Sequence, residues 1–198
     1  MSGMSYKNTI YILIFIIGLS FVLYPKVSKK QYEYNVEKIV AEFHKYSTGQ
    51  IAPKEISNLE ILSEDMIATV EVPKINLNLP VYYGTSVETL SDSIGLMENG
   101  TKKIGGDSTH SVLAGHSGLL SKELFTNIHK LDVGDDFYIQ TNNDRFKYKV
   151  IDNRKIKVTE TDYLKIQEDN DLVTLLTCPT FDSKRYRIIV TGERIKEM

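Results

Sequence analysis

The sequence predicts a mostly β domain, a barrel or sandwich of seven or so short strands with short helices, carried behind an N-terminal transmembrane helix. Three observations predict it: an uncharged apolar run over residues 8–25, a series of β-rich runs after about Leu62, and a lone cysteine that ends one of those runs.

The apolar run comes first. From Asn8 to Pro25 no charge interrupts the chain, with Lys7 before it and Lys26, Lys29 and Lys30 after it. A membrane-spanning helix needs about 20 apolar residues, or about 17 at the short end. The run lacks the small-residue cleavage site of a secretory signal peptide, so it reads as an uncleaved anchor. More lysines follow the span than precede it, which by the positive-inside rule favours a cytoplasmic C-terminal domain.

Next, Val36, Ile39, Val40 and Phe43 fall at the i, i+3, i+4, i+7 spacing of one helical stripe, which predicts a juxtamembrane amphipathic helix. The stretch after it, from Ser47 to Asn58, carries Ser, Gly, Pro and Asn without periodicity and reads as a linker or covering lid. The organisation expected is therefore a tail and membrane anchor over 1–30, an amphipathic helix and linker or lid over 31–61, and a catalytic domain over 62–198.

Within that domain, strands are predicted at 67–72, 79–83, 111–115, 136–140, 145–152, 172–177 and 186–192. Residues 146–150 alternate strictly, with Phe146, Tyr148 and Val150 on one face and Lys147 and Lys149 on the other, the mark of a strand with one wet face. Residues 172–177 are almost continuously apolar or β-branched, which places that strand at the sheet centre. In the 198-residue chain 41% of residues are hydrophobic and 25% charged, enough for one domain with a substantial core. A net charge of −2 with no dense basic stripe gives no reason to expect nucleic acid.

One cysteine excludes an intrachain disulfide and a thiolate zinc site. A lone cysteine is most often buried and inert, but the setting of Cys178 reverses that preference. It ends a buried strand and is followed by Pro179, which stops the ladder, so the thiol sits where side chains reach a surface. In the next strand Arg185, Arg187 and Ile189 share one face by the two-residue period. Residues 111–118 repeat the arrangement, with a short apolar strand running into Gly115, His116 and Gly118. His44, His110 and His129 read as solvated or capping histidines, and His116 is the one displayed at a strand end. Acyl transfer through a thiolate needs a nucleophile, an acid for the leaving amine and a donor for the oxyanion. Cys178, His116 and an arginine supply one each.

At these residues the sequence resembles the sortases. TLLTC at 174–178 is similar to the family's cysteine motif, RIIVTGE at 187–193 to the strand that opens on its catalytic arginine, and SVLAGHSG at 111–118 to the segment holding its catalytic histidine. Residues 72–86, 104–119 and 124–139 resemble the pilin-polymerising class C branch in particular. The resemblance implies a closed β-barrel of about eight strands on the outer face of a Gram-positive cell membrane, anchored by a single pass. It assigns Cys178, His116 and Arg187 as catalytic, and it overrides the charge flanks in favour of an extracellular domain. Some sortases use a calcium site, but the acids here are scattered, and no cofactor and no metal are expected. Glu98, Asp107, Asp135 and Asp136 read as solvated acids. Its implied partners are LPXTG-bearing surface or pilin proteins and an acceptor amine, either a pilin lysine or a peptidoglycan cross-bridge. Thr177, Leu119, Tyr82 and Tyr83 are the substrate-binding candidates. Class C enzymes usually carry an Asp-Pro-aromatic lid, and this sequence has no Asp-Pro dipeptide. A housekeeping sortase, a Cys-His peptidoglycan endopeptidase and a non-catalytic surface-binding domain are the competing readings.

Overall fold

The computed structural model describes residues 6–50, 65–118 and 122–196. The lid candidate from Ile51 onward and the substrate-binding candidate Leu119 lie outside the described residues.

Helix α1 runs without a break over Tyr6–Ser47, so the apolar run and the amphipathic stripe belong to one rod of 42 residues. Pro25, where the apolar run stops, lies inside the helix. A proline there removes one backbone donor, but the Lys, Gln, Glu, Val and Ala that follow are helix-compatible, and no glycine intervenes before Gly49. At Gly49, with φ of 73°, the helix closes in a Schellman motif: Gly49 N–H donates to Tyr46 O (2.9 Å) and Gln50 N–H to Lys45 O (2.9 Å). Residues 8–24 are exposed along their length, whereas Val36 and Phe43 are buried against the barrel, with Ile39 and Val40 packed beside them.

Eight strands follow: β1 (Met66–Val72), β2 (Leu77–Tyr83), β3 (Ile94–Leu96), β4 (Thr109–Ala114), β5 (Asp136–Thr141), β6 (Arg145–Lys157), β7 (Asp171–Thr177) and β8 (Tyr186–Arg194). A short helix α2 (Val87–Asp92) links β2 to β3, its N-cap Ser86 accepting from Thr89 N–H (3.1 Å). The strands close into a barrel in the order β1-β2-β3-β4-β7-β8-β6-β5. The closed barrel was expected; β3 was not read from sequence, because three residues are too few to show an alternation. Strand β6 runs five residues past its expected end at Asp152, since its charged outer residues hide the continuing ladder with β8.

Inward residues fill the barrel, among them Val70, Val81, Leu113, Phe137, Tyr148, Val173, Leu175 and Val190. The rings of Phe137 and Tyr148 stack at 5.3 Å. At one end of the barrel the buried Asp171 carboxylate accepts from the Tyr148 hydroxyl (2.9 Å), Gly106 N–H (2.8 Å), Thr109 Oγ1 (3.3 Å) and Arg194 Nη1 (3.2 Å). The opposite end of β7 carries Cys178.

Strand parity separates a second cluster from the core. Val112 and Ala114 on β4, Leu176 on β7, Ile189 on β8 and Ile156 on β6 are buried together on the outer face, with Leu90, Met97 and Leu164 packed over them. The barrel wall therefore has an apolar outer floor spanning four adjacent strands.

Candidate active site

The floor continues at one end into three polar side chains. Strands β4 and β7 are parallel, with Ala114 opposite Leu176, and Gly115 N–H extends the ladder to Leu176 O (3.0 Å). One further step of the same register sets His116 opposite Cys178. Strands β7 and β8 are antiparallel, with Leu176 opposite Ile189 and Thr177 opposite Ile188, so Cys178 stands opposite Arg187. Arg187 in turn pairs with Ile156 of β6. Parity turns all of them outward, because His116 follows Val112 and Ala114, Cys178 follows Leu176, and Arg187 precedes Ile189. The result is one row, His116, Cys178, Arg187 and Ile156, directly beyond the apolar row of Ala114, Leu176 and Ile189.

Local contacts fix each member. The buried Thr177 hydroxyl donates to Gly115 O (2.7 Å), tying the ends of β7 and β4 together just before Cys178 and His116. Gly115 itself has no room for a side chain: an added Cβ would lie 2.6 Å from Ile94 Cδ1 and 2.9 Å from the Phe125 ring. The next residue's backbone is held as well, His116 O accepting from Phe125 N–H (2.9 Å), and its imidazole is exposed. Ser117 Oγ donates to Cys178 O, and the thiol is half-buried in front of the buried Pro179.

Arg187 Nη1 donates to Ser183 O (2.5 Å) and Tyr186 O (2.8 Å), two carbonyls of the β7–β8 turn. That turn is closed by Arg185 N–H to Asp182 O (2.9 Å) and by an Arg185–Asp182 ion pair at 2.8 Å. The two arginines that share a face thus differ: Arg185 is exposed and paired with an acid, whereas Arg187 is half-buried, bound among the described residues by carbonyls and in register with the thiol. A guanidinium held this way keeps its charge and its remaining N–H donors for an anion.

The other candidates are placed elsewhere. Thr177 is 1% exposed, with its hydroxyl turned to Gly115 rather than to a groove. Tyr82 lies three strands from Cys178 and packs with Phe43, Met66 and Ile39 under α1, beside a cavity of about 730 Å³. Tyr83 is exposed and lines a separate cavity of about 520 Å³ with Lys102, Lys103 and Arg194. Pro80 and Tyr82, outward on β2, face α1, a contact that no strand pattern reveals. Asp107, Asp135 and Asp136 are ion-paired with Lys196, Lys74 and Lys147 respectively. Among the histidines, His129 bonds Thr126 O (3.0 Å) and His44 is exposed, but His110 is neither solvated nor ahead of its strand. Strand β4 begins at Thr109, two residues earlier than read from sequence, and His110 is 2% exposed within it. Sequence reasoning also missed Ser117 and the carbonyls that hold Arg187; only the adjacency of Ser117 to His116 was visible.

Comparison with known proteins decides the family. The model of the sortase domain matches residues 70–195. The chain belongs to the sortase family. A Sortase A of Bacillus anthracis is 27% identical over 96% of both chains. The solved sortase C1 of Streptococcus suis is 36% identical over 73% of this chain and 80% of its own, with a TM-score of 0.65. The sortase C of Streptococcus pneumoniae, an enzyme of pilin substrate specificity, is 26% identical over 81% of this chain and 97% of its own, with a TM-score of 0.71. As a sortase, the chain is a cysteine transpeptidase of class C-like form.

Proposed function

We propose that this sortase is a single-pass membrane enzyme that cleaves an LPXTG-like sorting signal on an extracellular protein and passes the acyl group to a pilin lysine, assembling pili. The observation that carries the reading is the outward row of His116, Cys178 and Arg187 at the end of an apolar floor. In this reading Cys178 thiolate attacks the carbonyl carbon of the threonine in the signal. Negative charge that develops on the carbonyl oxygen is met by the Arg187 guanidinium. The C–N bond breaks, the departing amine takes a proton from the His116 imidazolium, and a thioester remains on Cys178. The acceptor amine then attacks that thioester, gives its proton to His116 and leaves an amide and a free thiolate. The apolar start of the signal lies over this floor, against the half-buried Leu90, Met97 and Leu164 that cover the buried Ala114, Leu176 and Ile189.

Anchoring is supported by α1, whose N-terminal window has a mean hydropathy of 2.1 and is wholly unburied. Residues 1–30 serve as anchor and 62–198 as catalytic domain, with 31–61 between them. Pilin as the substrate rests on the likeness to sortase C structures. The full-length likeness to a Sortase A favours a second reading, in which the acceptor amine belongs to a peptidoglycan cross-bridge.

Full-length protein in detergent, given LPXTG peptides with either a lysine-bearing pilin peptide or a cross-bridge peptide, tests both. The expected result is an acyl adduct on Cys178 by mass spectrometry, transfer to the pilin lysine, and loss of both in Cys178→Ala, with Arg187→Ala and His116→Ala slowed by about a hundredfold or more. Transfer to the cross-bridge peptide alone would select the second reading, and unchanged turnover in Cys178→Ala would refute both.

A further inference from the structure

His110 lies in the same outward row of β4 as Val112, Ala114 and His116, but at the far end of the floor. Both ring nitrogens are engaged: Nδ1 with Lys165 O at 2.8 Å and Nε2 with Thr174 Oγ1 at 2.8 Å, while Thr174 Oγ1 meets Thr191 Oγ1 at 2.9 Å. A carbonyl only accepts, so Nδ1 carries the proton. Nε2 then accepts from Thr174, and Thr174 accepts from Thr191. The chain of donors is satisfied by one tautomer of the neutral ring, and every member is buried.

Lys165 belongs to the segment between β6 and β7, which folds a single turn of 3₁₀ helix at Asp162–Leu164. That turn is held to itself by Leu164 N–H to Thr161 O (3.0 Å), Lys165 N–H to Asp162 O (3.1 Å) and a Lys165–Asp162 ion pair at 2.6 Å. To the barrel wall it is held by the packing of Leu164 over the apolar floor and by the His110 bond to Lys165 O. The position of Leu164 against the floor is thus tied to a ring on β4 itself, at the end of the strand opposite to His116.

We propose that His110 is a positioning residue for the transpeptidation: by fastening the Lys165 carbonyl it sets the Asp162–Lys165 turn as a wall of the floor on which the sorting peptide lies. It touches no reacting atom. The inference rests on the proposed function, since the floor is read there as the peptide site.

The test compares His110→Phe, which keeps the ring volume without a donor, with His110→Asn, whose amide nitrogen falls near the place of Nδ1. Three quantities are read on the full chain: KM and kcat for an LPXTG peptide, the rate of Cys178 alkylation by iodoacetamide, and amide exchange at Leu164 and Lys165. In His110→Phe both ring hydrogen bonds are lost, and loss of the one to Lys165 O raises exchange and KM by about tenfold, with kcat within twofold and alkylation unchanged. His110→Asn restores KM and exchange toward the wild type. Unchanged exchange in His110→Phe overturns the fastening. Faster exchange with unchanged KM, a fall in kcat or alkylation instead of a rise in KM, or an Asn variant no better than Phe overturns the positioning role in favour of a purely structural one. Wild-type protein that cleaves no sorting peptide brings down the proposed function and this role with it, while the exchange arm still decides the fastening.

Discussion

Gly115→Ala is the substitution whose consequence is most directly set by geometry. The new methyl carbon lies 2.6 Å from Ile94 Cδ1 and 2.9 Å from two atoms of the Phe125 ring. Carbon atoms make favourable contact at about 3.5–4.0 Å, so each neighbour must retreat by roughly 0.6 to 1.4 Å. Neither has free space, for Ile94 and Phe125 are both 0% exposed. Overpacking of this kind costs about 1–3 kcal/mol, or a fall in melting temperature of roughly 4–12 °C for a domain of this size. The larger effect falls on activity. Gly115 bonds Leu176 O through its N–H and accepts from Thr177 through its carbonyl, so relief of the clash by backbone movement shifts His116 against Cys178. A displacement of about 1 Å in a reacting pair is sufficient for a hundredfold loss in rate. Thermal unfolding by circular dichroism, with peptide cleavage measured well below the transition, separates the two effects. A variant with wild-type melting temperature and wild-type cleavage refutes the reasoning, because it shows that the strand end accommodates a methyl group without moving the row.

Thr177→Val keeps the shape but leaves the Gly115 carbonyl without its 2.7 Å partner, and is expected to lower stability by about 1–2 kcal/mol in denaturant titration with little change in KM. Asp171→Ala strips Tyr148, Gly106 and Arg194 of a shared acceptor at the other end of the barrel, while Thr109 keeps Gly106 O, and a destabilisation of about 3 kcal/mol is expected, with cleavage retained at a permissive temperature. Burial holds the His110 imidazole below its ordinary pKa of 6.5 and outweighs the opposing bond to Lys165 O. The unfolded chain therefore binds a proton that the folded chain refuses. Stability from this group is complete above pH 6.5 and declines as pH falls below it, by at most about 1.4 kcal/mol per pH unit. His110→Asn should flatten that part of the profile in urea titrations between pH 7 and 5, and an unaltered slope would count against a neutral buried ring.

What the sequence disclosed was the part written in short periods. Alternation in 146–150 and the apolar run 172–177 located two strands of the central wall. Pro179 and the glycines flanking His116 announced that the thiol and the imidazole stand at strand ends. Register was not legible, because the pairing of Ala114 with Leu176 and of Thr177 with Ile188 depends on chain segments far apart in sequence. The choice of Arg187 over Arg185 accordingly came from family resemblance and not from spacing, while the structure distinguishes them by register and by their partners. Thr177, Tyr82 and Tyr83 were singled out without knowing which face each presents. A hydroxyl turned to a backbone carbonyl and a ring covered by α1 are tertiary facts. His110 was discounted because the start of β4 was misjudged by two residues, enough to make a buried ring look like a solvated one.

The parallel pairing of β4 with β7 has a consequence for folding. Parallel neighbours cannot be joined by a hairpin, and here the bond between Thr177 and Gly115 bridges 62 positions, with β5 and β6 lying in between. Closing so long a loop comes late, after local hairpins such as β5–β6 have formed. Until β7 enters beside β4, the thiol has at most the guanidinium of the neighbouring β8 and no imidazole near it. In the proposed mechanism reactivity therefore waits for the closed barrel, and a chain in which only β7 and β8 have paired holds a thiol opposite a guanidinium but without its acid.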